Sequence, residues 1–165
     1  MQRKLIFIFF ISLTILDFSC NSKSNRDNLG EYLPVKKVVD GDTFWVDDGT
    51  EKGVKIRLIG VDAPESRKTG RKKIGYYGKE SKKYLTKLLS NKKVKLEFDV
   101  ERYDKYQRIL AYVYIEDGTF VNAELVKNGY AMVMTIPPNV KFAEKFVKLQ
   151  QEARKNNRGL WNKNK

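Results

Sequence analysis

Short runs in which apolar and polar residues alternate begin near Leu33 and recur as far as Ile115, each bounded by turn-forming residues. Residues 35–39 (Val-Lys-Lys-Val-Val) and 43–46 (Thr-Phe-Trp-Val) flank Asp40-Gly41-Asp42, which predicts two strands joined at a tight corner. After the Asp48-Gly49 turn, residues 54–61 predict a third strand, where alternation sets Arg57 on the opposite face from Ile56 and Leu58. Residues 94–100 and 109–115 alternate in the same way and predict a fourth and a fifth strand, the last closed by Glu116-Asp117-Gly118-Thr119. Between the third and fourth strands the period changes. Tyr84, Leu85, Leu88 and Leu89 recur at helical spacing and predict a helix over 80–89. Two more helices are predicted, one over 122–128 ended by Gly129, and one over 140–155 that follows Pro137-Pro138-Asn139 and carries Phe142, Phe146, Leu149 and Ala153 on its apolar side. No internal repeat is visible.

Charge narrows what such a chain can do. Its 165 residues hold 33 Lys and Arg against 20 Asp and Glu, a net charge of +13 that favours polyanionic partners, nucleic acid or an anionic membrane surface. There is no His, which excludes Ser-His-Asp triads, zinc sites of the HExxH kind and any nuclease with a histidine base. The single Cys, Cys20, excludes disulfides and Cys-rich zinc sites. Chemistry must therefore run on carboxylates, Arg, Lys and Tyr, with or without a hard metal ion. Five short strands with three helices in a basic chain predict an α+β domain built on a small barrel of the oligonucleotide-binding (OB-fold) type.

The first residues read as a targeting segment over 1–19: Arg3 and Lys4, then an apolar run over 5–16, shorter than the about 20 residues of a membrane span. Ser19 precedes Cys20, and the chain then turns polar, so the segment resembles a bacterial lipoprotein signal with Cys20 as the lipidated residue. Asp17 stands where such signals carry Leu, with Leu16 one position earlier, and an ordinary secretory signal or an uncleaved anchor are the other readings. Either way the expectation is export, with a polar tether over 20–32 and a domain over 33–165, attached to the extracytoplasmic side of a membrane or secreted.

Candidate chemistry lies at two acidic corners, Asp40-Gly41-Asp42-Thr43 and Asp62-Ala63-Pro64-Glu65. Each is equally a turn by composition, but two or three carboxylates with no softer ligand suit Ca²⁺ or Mg²⁺. Arg57 and Arg108 are candidates for bidentate phosphate contact, although a strand arginine more often points to solvent. The loop after Glu65 carries Arg67, Lys68, Arg71, Lys72 and Lys73, a solvated basic loop that would also collect a phosphate backbone. Tyr76 and Tyr77 behind it read equally as base-stacking residues or as anchors of the loop.

VVDGDT (38–43), IRLIGVDAPE (56–65), YDKYQRILAY (103–112), VNAELVKNGYA (121–131) and RGLW (158–161) together resemble the staphylococcal nuclease (thermonuclease) family in order and spacing over residues 35–161. The resemblance implies a five-stranded OB-fold barrel with three helices and hydrolysis of DNA and RNA phosphodiesters to 3′-phosphate products. It implies Ca²⁺ as cofactor, held by Asp42, Asp62 and the backbone carbonyl of Ala63, with Asp40 a nearby acid outside the ligand set. It implies Glu65 as the general base, Arg57 and Arg108 as phosphate-binding arginines, Lys105 and Tyr106 beside the nucleotide, and a monomer. The chain departs from the family at Gln107, where a Gly is usual, and at Met134-Thr135-Ile136-Pro137, where some members place a tyrosine pair. The competing expectation is a non-catalytic nucleic-acid-binding OB-fold lipoprotein. Asp42, Arg57, Asp62, Glu65 and Arg108 all being present favours the enzyme, since binding alone does not need that set.

Overall fold

In the computed structural model, residues 31–68, 70 and 73–162 are described; the expected signal segment, Cys20 and most of the tether lie outside them. Leu33–Asp40 (β1) and Thr43–Val46 (β2) pair antiparallel about the turn at Gly41 and Asp42. Val54–Leu58 (β3) continues the meander on β2, with Phe44 beside Ile56 and both fully buried. Gly78–Leu89 (α1) then carries the chain across to Lys93–Glu97 (β5), which pairs antiparallel with Ile109–Ile115 (β6). β6 returns to β3 in parallel, so the sheet closes in the order β1-β2-β3-β6-β5. A closed five-stranded barrel with this strand order and three helices is the predicted OB-type fold.

Period-two alternation fills the interior. Phe44, Val46, Ile56, Val94, Leu96, Ala111 and Val113 point in and are buried. Val121–Lys127 (α2) and Ala143–Lys155 (α3) close one side, where Tyr112 meets Phe142 edge-on at 4.6 Å and Phe146 is fully buried. Asn122 is buried at the start of α2. Its side chain accepts from the Val113 N–H and donates to the Ile59 carbonyl, tying β6, the end of β3 and α2 together. A 3₁₀ turn at Gly159–Trp161 ends the described chain. Among the described residues no helix is long and apolar enough to cross a membrane.

Three expectations shift. The third strand does not run to residue 61. It stops at Leu58 because Gly60 takes φ +76°, and a Cβ there would lie 2.6 Å from the Phe146 ring. The chain reverses and Val61–Asp62 (β4) pairs instead with Met132–Val133 (β7), a strand too short to show a period. The fourth strand ends at Glu97, leaving Val100 on the surface. The last helix begins at Ala143 rather than 140, because the preceding segment is held back: Asn139 exchanges two hydrogen bonds with the Glu101 backbone, and the Lys141 N–H donates to Asp99.

Candidate active site

The β1–β2 corner, the end of β3 and β4 converge on one guanidinium. Arg57 is 7% exposed, although its strand position left a solvent-facing role open. Its Nη1 lies 3.1 Å from Asp42 Oδ2 and donates to the Val61 carbonyl at 2.8 Å, while Nη2 donates to Asp62 Oδ1 at 2.8 Å. Asp42 is itself fixed: Oδ2 accepts the Ala63 N–H and Oδ1 accepts the Thr43 hydroxyl, both at 2.8 Å. Asp42, Arg57 and the neighbouring pair Asp62 and Ala63, from three separate stretches of sequence, thus form one bonded cluster. Asp40 stands behind it and accepts the N–H groups of Gly41 and Ser66, which pins the start of the basic loop to the corner.

Gly41 is required at this corner by space alone. A Cβ there would sit 2.6 Å from the Ala63 Cβ and 2.8 Å from the Ser81 Cβ of α1. A Cβ at Gly78, at the start of α1, would run into the Glu65 carbonyl, and the Gly75 N–H donates to that carbonyl at 2.9 Å. The segment carrying Glu65 is therefore wedged between the corner and the helix, and Glu65 is half-buried.

The second arginine enters from the neighbouring strand. Parallel pairing sets Ile109 beside Ile56 and Leu110 beside Arg57, so Arg108, just before β6, stands two residues short of the position across from Arg57, and both side chains line one cleft. Asp104 grips its Nε at 2.6 Å and also accepts the Arg108 and Tyr106 N–H groups. Burial opposes the Asp104 charge, but these hydrogen bonds outweigh it and hold the carboxyl below its ordinary value. Gln107 completes the turn at φ +59°, the left-handed region that explains a glycine preference at this position.

Arg57 and Arg108 line one cleft of about 370 Å³, whose walls include Tyr103, Lys105, Tyr106, Met134, Ile136 and Asn139. Lys105 and Tyr106, expected beside a nucleotide, stand exposed at its rim, with the Arg108 guanidinium 5.4 Å from the Tyr106 ring. Asp42, Asp62, Ala63 and Glu65 are not in its lining; Asp42 and Asp62 are bonded to Arg57, and Ala63 to Asp42. Arg67, Lys68 and Lys73 are exposed, and Arg71 and Lys72 lie outside the described residues. Tyr77 packs against Tyr130 at 5.6 Å, which favours the anchoring role for it, while Tyr76 is exposed. Sequence reasoning did not mark Asp104, four residues before Arg108, nor Tyr103, Ile136 and Asn139; for Asp104 the i, i+4 acid–arginine spacing was the available signal.

The donor set admits a hard cation. Two carboxylates face one guanidinium, which leaves an excess of negative charge at a site where Asp42 is 6% exposed. Burial pushes the Asp42 carboxyl above its ordinary value, over the opposing pull of Arg57, the Ala63 N–H and the Thr43 hydroxyl, so its negative charge is under-compensated. Among the described residues no three acidic or Cys side chains gather into a metal cage, so a cation here would draw its other ligands from backbone carbonyls and water.

A basic OB-type barrel with paired arginines at a cleft and two carboxylates bonded to one of them is, by class, a protein built to hold phosphodiesters. Residues 55–163 match the family model described as staphylococcal nuclease homologue. The chain is 42% identical to the thermonuclease of Staphylococcus intermedius over 140 residues, covering 84% of this chain and 81% of that protein. It is 39% identical to the thermonuclease of Staphylococcus hyicus, covering 77% and 73%, and 38% identical to endonuclease YhcR of Bacillus subtilis, covering 82% of this chain and 12% of that longer protein. The chain belongs to the staphylococcal nuclease family, and its class of activity is that of a nuclease.

Proposed function

We propose that this protein is a Ca²⁺-dependent endonuclease that hydrolyses DNA and RNA, leaving 3′-phosphate and 5′-hydroxyl ends. The observation that carries the reading is the meeting of Arg57 and Arg108, 51 positions apart in the chain, on one cleft with Asp42 and Asp62 bonded to Arg57.

Arg57 and Arg108 grip the non-bridging oxygens of the scissile phosphate and stabilise the charge that grows on them as the phosphorus becomes pentacoordinate. Asp42 and Asp62 hold Arg57 in place and, with the Ala63 carbonyl, are the groups that would hold Ca²⁺. Bound there, Ca²⁺ supplies positive charge against a phosphate oxygen. Glu65 orients the attacking water and accepts its proton; the new bond is water oxygen to phosphorus, and the bond that breaks is phosphorus to O5′, which takes a proton from solvent and leaves as the hydroxyl while Glu65 returns its own proton to solvent. Lys105 and Tyr106 flank the adjoining nucleotide, and the exposed loop cations gather the backbone. The protein acts as a monomer, exported and held at the extracytoplasmic membrane face by a lipid on Cys20.

Plasmid DNA and a structured RNA, incubated with the protein in Ca²⁺ and then with a chelator, test the activity. Cleavage in Ca²⁺ that stops on chelation, with ends that block a polymerase until dephosphorylated, is the expected outcome. Undiminished cleavage after chelation overturns the metal assignment. Detergent partitioning of the full chain beside Cys20→Ser tests the anchor, which predicts that only the parent enters the detergent phase.

A further inference from the structure

On the outer face of the barrel, outside the lining of the cleft but one rung from Arg57, one indole is ringed by cations. Phe44 and Val46 point into the core, so Trp45 between them points out, and it is half-buried. Lys37 of β1 and Lys55 of β3 are its cross-strand partners on either side. Their ammonium groups lie 5.8 Å and 5.2 Å from the ring centroid, and Lys52 reaches the same ring from the β2–β3 turn at 5.8 Å. Among the described residues none of the three pairs with a carboxylate. Cation–π attraction and stem packing account for a lysine or two on a tryptophan. Three ammonium groups within 5.8 Å of one point also repel one another, over distances comparable with the Debye length of about 8 Å. An anion between them relieves that repulsion.

The register ties this patch to the cleft. Thr43 pairs with Arg57 and Trp45 with Lys55, and residues two apart on a strand share a face. The Trp45–Lys55 rung therefore follows the Thr43–Arg57 rung on one face, about 7 Å away at roughly 3.4 Å per residue. Arg57 lines the cleft, and the same strands lead from it to Trp45.

We infer that Trp45, Lys37, Lys52 and Lys55 form a second binding subsite, where a nucleotide of a single-stranded substrate beyond the scissile phosphate stacks its base on the indole and sets its phosphates among the lysines. This rests on the nuclease reading and extends it. The chemistry is that of single-strand binders, an aromatic platform within a cationic track, and the site favours single-stranded over duplex substrate because a paired base cannot reach the ring.

The test uses the full chain in chelator, so that ligands stay intact, with Trp161→Phe making Trp45 the sole indole. Octathymidylate is expected to quench the Trp45 emission, and thymidine 3′,5′-bisphosphate, too short to leave the cleft, is not. Trp45→Ala should weaken octathymidylate binding roughly tenfold, with Trp45→Phe recovering most of it. Changing Lys37, Lys52 and Lys55 together to Gln should make the slope of log affinity against log salt shallower by about 2, near 0.7 per lysine. This variant keeps the test open should Trp45→Ala fail to fold. An unchanged slope, absence of quenching by octathymidylate, or quenching by phosphatidylglycerol vesicles alone overturns the subsite, the last showing a membrane-facing patch. Quenching needs no hydrolysis, so a chain that stacks the oligomer yet never cuts it in Ca²⁺ upholds the subsite and refutes the nuclease reading, and a chain that cuts without quenching does the reverse.

Discussion

Replacing Arg57 by Met tests the hub of the site through stability, without any assumption about substrate. The change keeps most of the stem volume and removes the guanidinium from Asp42, Asp62 and the Val61 carbonyl. Asp62 is partly exposed and recovers water, so little of the cost arises there. Asp42, 6% exposed, is left with the Ala63 N–H and the Thr43 hydroxyl. Stranding one member of a buried ion pair costs about 3–5 kcal/mol, which for a domain of this size lowers the melting temperature by roughly 10–20 °C. A second signature follows from the sign of the Asp42 shift. Its folded-state pKa is raised, so protonation favours the folded state: that contribution is full below the ordinary value of 3.8 and lost as pH rises through the folded value. Without Arg57 the shift grows, so the variant's deficit narrows in acid and is widest at neutral pH. Thermal melts in chelator across that range, with Asp42→Asn added to Arg57→Met, provide the assay. The double variant should be more stable than Arg57→Met, because the amide needs no counter-charge. A single variant melting within about 2 °C of the parent, or a double variant no better than the single, refutes the reasoning.

Arg108→Lys keeps the charge but cannot hold Asp104 and two phosphate oxygens at once; kcat should fall about a hundredfold or more while the melting temperature moves little, and near-normal turnover would make Arg108 a structural residue. Gln107→Gly should stabilise by about 0.5–1 kcal/mol, because a left-handed conformation costs an L-residue roughly 1–2 kcal/mol and glycine's unfolded freedom returns part of it. Denaturant midpoints decide that one. In alkali, burial and then Glu97 push Tyr114 up to about 12, and burial with the Asp99 hydrogen bond raises Tyr112 further. Their contribution to stability is full below pH 10 and lost as pH climbs through 12, so melts should weaken across that window and Tyr114→Phe should flatten the loss.

Alternation along residues 33–115 made the barrel legible, since each strand has one buried and one solvated face. β7 stayed hidden because two residues carry no period, and the break at Gly60 depends on Phe146, which arrives from the last helix. At the site, residue type and spacing picked out the arginines and acids, but not that Arg57 is shared by Asp42 and Asp62. The Trp45 cluster was equally hidden. Lys37, Trp45 and Lys55 look like ordinary strand alternation until strand pairing sets them side by side.

The parallel pairing of β3 with β6 also bears on when this protein becomes dangerous. Arg57 and Arg108 are neighbours only once α1 and β5 have crossed the barrel and β6 has closed it. Such long-range closure comes late in folding. A chain kept unfolded has each arginine but not the pair, and so has no cleft in which the two can act together.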